Sequence, residues 1–440
     1  MRRPLRTVLI GLMVVLPPLS GCTGRPEPPC GADGRGPVTF ATTKSLTEEQ
    51  WKKLKDRWHH QHPKDKLTIV RLPKRSDEQR AQLAATLQIA ERSSTRPYDV
   101  VELDIVFVPE FVRAGYLHPL DPDAFPRRLF LDKPWDVSLH DGRLHALPFT
   151  TNVGLLYYWA DELRRFAKID EETDRWTPDS WDDVHTVAKQ SWDAPQGTRD
   201  GVKRPPTGYA GQLTRYEGLM VNSLEVISGA EATLRAAHPN MTEELQEKAK
   251  NGVDFLLDGL YAGWIDKKVL SYDEGTSLAA FRDRRVLVLR HWPSAWTELS
   301  RLDKGPIGVT SLPPGSNVLG GENVAVAACS RYRTTAQDLL TFLTGEQTQR
   351  DLFNDGLYLP TRTALYGPTA QPPRSLPKGL MPLLLDSVRT ARLRPQVPDY
   401  LGTSRLIQDQ VHERLKEAVP PGPPPARPEL PDELADVLQR

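Results

Sequence analysis

Sulfur is scarce in this chain. Its 440 residues hold three cysteines, Cys22, Cys30 and Cys329, none in CxxC or other metal-ligand spacing, so a structural zinc site is not expected. Charge of one sign is missing as well: 57 Lys and Arg balance 57 Asp and Glu, without the basic excess of a nucleic-acid binder. Nowhere is there an apolar run of the ~20 residues that a membrane-spanning helix requires. A phosphate-cradling glycine loop, a G-x-S-x-G elbow and an H-E-x-x-H pair are absent too. With them go the common signatures of nucleotide binding, serine hydrolysis and zinc proteolysis. Internal repeats and heptads are also lacking, so the chain is expected to be a monomer, and no cofactor is expected.

The N-terminus is what the sequence does have. MRRPLR is a basic segment, TVLIGLMVVLPPL a short apolar one, and LSGC places Ser20 and Gly21 directly before Cys22. This pattern reads as a secretory signal, and its end resembles the bacterial lipobox. That resemblance implies cleavage before Cys22, lipidation of its thiol and tethering to the outer face of a membrane. Such a compartment permits a disulfide between Cys30 and Cys329, although two free thiols are an equally open reading. TGRPEPPCGADGRGP then reads as a flexible spacer.

Periodicity sets out the body of the chain. VTFAT, LTIVRL and YDVVEL read as strands separated by two helices. The first helix carries a Thr47/Gln50 capping box, a Leu46/Trp51 staple and an apolar face of Trp51, Leu54 and Trp58. His59, His60 and His62 fall at its end, where they cap carbonyls or face solvent rather than bind metal. Strand–helix alternation predicts an α/β fold with parallel strands, whose ligands sit at the strands' C-terminal ends. That rule marks Thr42–Lys44 and Asp104. A second α/β region is predicted from LPFTTNVGLLYYW. It contains the helices SWDDVHTVAK, MTEELQEKAKNGVDFLLDGLYAG and EGTSLAAFRD and the strands VLVLRHW, IGVTSLP and ENVAVAA. TTAQDLLTFLTGEQTQRDLF reads as one long helix.

Several stretches in this order resemble the sugar-binding receptors of ABC importers, extracellular solute-binding proteins of family 1, and in particular their maltose/trehalose-binding branch. They include YDVVELDIVFVPEFVRAGYLHPLD, LPFTTNVGLLYYW, the P-x-S-W-D-D run from Pro178, GQLTRYEGLMVNSLE, FRDRRVLVLRHWPSAW, LGGENVAVAA and LPTRTALY, and they extend from about residue 38 to about residue 415. The resemblance implies a type II periplasmic-binding-protein-like fold: two lobes joined by a hinge of crossing segments, with ligand between them. Residues 1–21 would be the signal, 22–37 the tether, 38–147 with 306–346 one lobe, 148–305 with 347–418 the other, and 419–440 a proline-rich tail. Crossings are expected near Leu147–Asn152, Gly305–Ile307 and Gly345.

By the same resemblance Asp104 would accept sugar hydroxyls, or else cap the helix near Pro109. Trp292 would be an aromatic platform, Tyr216 and Glu217 would face the ligand, and Arg394 would reach it. Lys44, Asn152 and Glu322 complete the expected contacts. The sequence also departs from the family. Glu322 stands where a tryptophan is common, Ser294 where a tyrosine is, and Phe149 and Asn152 where tryptophan and aspartate are usual. These departures open the ligand to an amino sugar or another cationic or polar solute beside trehalose or maltose. The function expected is therefore non-catalytic: capture of a carbohydrate and delivery to an ABC permease. Presentation to a membrane sensor and a secreted glycosidase using Asp104 and Glu322 are the alternatives.

Overall fold

A computed structural model describes residues 31–419, except 94, 196, 200–201, 204, 238–252, 368–369, 396 and 398. The signal segment with Cys22, most of the tether, MTEELQEKAKNG at the start of one expected helix, and nearly all of the proline-rich tail therefore lie outside the described residues. Ten strands build two sheets: β1 (Val38–Thr42), β2 (Leu67–Arg71), β3 (Val100–Asp104), β4 (Leu147–Asn152), β5 (Leu155–Trp159), β6 (Thr207–Ala210), β7 (Val286–His291), β8 (Ile307–Ser311), β9 (Gly320–Val326) and β10 (Leu359–Pro360). The first sheet runs β10-β4-β9-β3-β1-β2 and the second β6-β7-β5-β8. In the first, β1 lies parallel to β2 and β3, whereas β9 runs antiparallel to both β3 and β4.

Among the described residues, the helices that flank the sheets include α1 (Glu48–Gln61), α2 (Ser76–Arg92), α3 (Trp181–Asp193), α4 (Glu217–Ala237), α5 (Glu274–Arg282), α6 (Arg333–Leu343), α7 (Glu346–Gly356), α8 (Leu380–Thr390) and α9 (Tyr400–Glu417). The capping box of α1 forms as expected: Thr47 accepts from Gln50 N, and the Gln50 side chain accepts from Thr47 N. Trp51, Leu54 and Trp58 are buried against Phe40, Val324, Leu339 and Phe342. Capping by Ser180 and Asp183 starts α3 in the same way. Two of the end-of-helix histidines have local roles: His59 accepts from Leu67 N at 3.2 Å, and His62 stacks on Trp58 at 3.9 Å.

Four expectations change. LPFTTN joins the first sheet as β4, and the chain crosses only between Asn152 and Leu155. IGVTS, expected in the first lobe, forms β8 at the edge of the second sheet, so the return crossing falls between Ser311 and Gly320 rather than near Gly305. The long helix after Ser330 breaks in two at Thr344–Gly345. Both halves pack on the first sheet's side, which leaves Gly345 inside that half and moves the third passage beyond β10. LPFTTN is buried along nearly its whole length and so lacks the alternation that would tell one sheet from the other.

Cys329 is disulfide-bonded, and its partner is not among the described residues. The first described residues lie against the same turn, with Ala32 N donating to Ser330 O at 2.9 Å and Arg333 N to Ala32 O at 3.2 Å.

Candidate functional site

The strands' ends meet at a cleft of about 480 Å³, walled by the first sheet on one side and by α4, α5 and the segment after β7 on the other. Seven of the eight expected contacts line it: Asp104, Asn152, Tyr216, Glu217, Trp292, Glu322 and Arg394. Lys44 does not. It lies beneath Glu322, 2 % exposed. Its ammonium donates to Thr150 Oγ1 at 3.0 Å and Glu322 Oε2 at 2.8 Å, and approaches Glu102 Oε1 at 3.0 Å. An ammonium has three donors, so none remains for a ligand. The rings of Phe149 and Tyr358 lie 5.3 and 4.7 Å from it. Burial alone would weaken the ammonium, yet Glu102 and Glu322 together raise its pKa.

Glu322 is placed by the two glycines before it. Gly321 has φ +132°, and a Cβ there would lie 2.4 Å from Thr150 O, so no other residue fits without moving the backbone. An irregularity between Glu322 and Asn323 then shifts the register against β4. Burial opposes ionisation of Glu322, but Lys44 and the Thr150 hydroxyl outweigh it and hold the carboxyl below its ordinary range. Behind the pair, Thr43 Oγ1 donates to Glu102 Oε1 at 2.6 Å, and Thr42 donates to the same carboxylate.

A second ion cluster stands beside the first, because Asp104 at the end of β3 is the register partner of Glu322 in β9. Arg394 forks onto Asp104 with both terminal nitrogens, one at 3.1 Å, and reaches Glu217 Oε1 at 3.0 Å. Tyr400 and Ser404 in α9 also donate to Glu217, Ser404 at 2.7 Å. Burial pushes the Glu217 carboxyl up to about 7; Arg394 pulls the other way, and Asp104 adds to the rise. Asp104 does not cap the helix near Pro109, whose N-cap is Phe107. Instead Asp104 accepts from Val106 N at 3.3 Å, capping the turn after β3, and it also lines the cleft, where Ser76 donates to it at 3.0 Å.

Trp292 is half-buried and fixed on three sides. The guanidinium of Arg290 lies 3.9 Å from its ring centroid, Nε1 donates to Glu274 at 3.2 Å, and its carbonyl accepts from Tyr157 Oη at 3.0 Å. Arg290 is itself buried and paired with Glu225 in α4. A Cβ on Gly320 would lie 3.5 Å from the Trp292 ring and 3.2 Å from Asn152, so the glycine lets the indole and Asn152 meet across β9. The ring of Tyr216 lies 4.7 Å from the Arg75 guanidinium. Glu274, Arg75, His291 and Tyr358 also line the cleft and were not foreseen. In the sequence Glu274 is one acid in the first turn of a helix, and no spacing marks it as a wall residue.

A family model described as bacterial extracellular solute-binding protein matches residues 61–374. A Deinococcus radiodurans protein described as a probable ABC transporter-binding protein is 28% identical over 241 residues, covering 51% of this chain and 53% of that protein. The chain thus spans about half the length of this curated relative. Among solved structures, maltose-bound MalE3 of T. maritima superposes with a TM-score of 0.71 at 26% identity, over 92% of this chain and 98% of that one. The GacH receptor of Streptomyces glaucescens, solved unliganded and with acarbose, gives 0.69 at 19% identity over 92% and 98%. The second likeness concerns the fold alone.

Proposed function

The chain belongs to the bacterial extracellular solute-binding proteins, and from that premise we propose that it captures a carbohydrate in the cleft and delivers it to an ABC permease. On this reading Cys22 carries the lipid that holds it to the outer face of the membrane. No described helix is long and apolar enough to cross one. The observation that carries the carbohydrate reading is Trp292, an indole fixed by Glu274 and Arg290 at the wall of a cleft rich in charged side chains. A sugar offers apolar ring faces to such an indole and hydroxyls to the charged groups. Hydrogen bonds to charged groups contribute about 1.5–3 kcal/mol each. Asp104, Asn152, Tyr216, Glu217, Glu322 and Arg394 are the proposed polar contacts, and Lys44 acts through Glu322.

The glycosidase alternative loses support at the same groups. Glu322 is tied to Lys44 and Asp104 to Arg394, and Glu322 is held ionised, which does not suit a general acid.

Thermal unfolding with a panel of trehalose, maltose, amino sugars and polyols tests the proposal. A ligand at 100 times its Kd adds about 2.7 kcal/mol, and Trp292→Ala should abolish that gain. If no saccharide raises the transition, the carbohydrate reading fails.

A further inference from the structure

Each of the two buried clusters sets two carboxylates on one cation: Glu102 and Glu322 on Lys44, Asp104 and Glu217 on Arg394. Glu274 adds a further carboxylate with no cation partner among the described residues; it accepts from Trp292 Nε1 at 3.2 Å. Two of the other acids on the walls have local explanations. Asp273 caps α5 through Thr276 N at 2.9 Å, and Glu298 pairs with Arg282 at 3.0 Å. On the cationic side, Lys74 lies exposed at the rim, and Arg75 lies over the Tyr216 ring.

Polar groups beside Glu274 are also left open. Tyr216 is 2 % exposed and lines the cleft, and its hydroxyl stands beside the Glu274 carboxylate but outside hydrogen-bonding geometry. His291, 4 % exposed on the same wall, directs Nε2 to the Glu274 carbonyl at 3.1 Å and leaves Nδ1 without a partner. With Nε2 carrying the hydrogen toward that carbonyl, Nδ1 is an acceptor. The wall therefore combines a carboxylate without a cation with an unpaired hydroxyl and one ring nitrogen that accepts and has no donor. Buried acceptors and charges of this kind are costly unless paired.

We propose that the natural ligand is a saccharide bearing a protonated amine, seated with its ammonium on the Glu274–Tyr216 side of the cleft. An ammonium supplies three donors and the missing positive charge at one atom, whereas a neutral sugar supplies donors alone. This inference rests on the carbohydrate reading above and narrows it.

Calorimetric titration separates the two. The probes are trehalose and maltose, their mono-amino-monodeoxy derivatives, and the N-acetylated form of each amine as a neutral control of similar shape. At least one amine should bind ten-fold or more tightly than its parent sugar. N-acetylation should remove that gain, and raising the salt concentration should shrink it. Glu274→Gln, which keeps an acceptor for Trp292, should bring the ratio of amine to parent affinity close to one. Should that variant fail to fold, the comparison of amine with N-acetyl amine on the unaltered protein still decides. If the parent sugars bind as tightly as every amine, the inference falls while the carbohydrate reading stands. If nothing in the set binds, both fall. An amine preference that survives in Glu274→Gln would overturn the placement.

Discussion

Glu217 is 3 % exposed at the cleft wall, and Asp104 competes with it for the one guanidinium of Arg394. Its carboxyl, raised by burial to about 7 from an ordinary 4.5, keeps its proton in the folded protein over a range where the unfolded chain has lost it. Between these values the native state binds more protons, so this group makes stability fall as pH rises from about 4.5 to 7. The full shift amounts to about 3 kcal/mol. Glu217→Gln holds the side chain neutral at every pH. It should match the parent near pH 4.5 and exceed its unfolding free energy by up to that amount at pH 8. Denaturant titrations of both proteins at the two pH values measure the difference; a gap that does not change with pH would mean that Glu217 is ionised throughout.

Elements were the most legible part of the sequence, and their local chemistry is why. The Thr47/Gln50 box and the Trp51, Leu54 and Trp58 stripe state where α1 begins and which face it buries. Nothing local states which sheet β8 joins, or that Gly345 starts a new helix within the first half rather than a crossing. Those outcomes depend on partners far along the chain. The turn at the start of β9 lies between the two cases. Its glycines were visible in LGGENVAVAAC, and the structure gives the reason: Gly321 has φ +132° with Thr150 O in the place of a side chain. Gly321→Ala should cost about 1–3 kcal/mol for the backbone conformation alone, with a further cost for the contact. It should also move Glu322 off Lys44. A lowered thermal midpoint together with weaker ligand binding is expected; a midpoint unchanged within a degree would show that β9 adapts without strain.

Across the whole molecule, the candidate site was legible as a set of positions and less so as a set of roles. Asp104, Trp292, Glu322 and Arg394 come from four distant parts of the chain and meet at one cleft. The sequence could not show that Lys44 would be buried beneath Glu322, because that depends on β4, β9, β3 and β1 lying in that order in one sheet. Arg394 shows the same dependence between the halves. It links Asp104, at the end of β3 in the first sheet, to Glu217, at the start of α4, which pairs through Glu225 with Arg290 in the second. Replacing it with methionine keeps much of the volume and leaves two buried carboxylates without a cation. Removing one partner of a buried pair costs about 3–5 kcal/mol. The loss in Arg394→Met should also depend on pH, because Arg394 is what draws the Glu217 pKa down toward 7. Near pH 5 Glu217 is already protonated, and only Asp104 loses its partner. At pH 8 the unaltered protein ionises Glu217 beside Arg394, whereas the variant must bury that charge alone or keep a proton from a dilute pool. Urea denaturation at both pH values should therefore show the larger loss at pH 8. An equal loss at both would assign Arg394 a packing role and remove Glu217 from the contact between the halves.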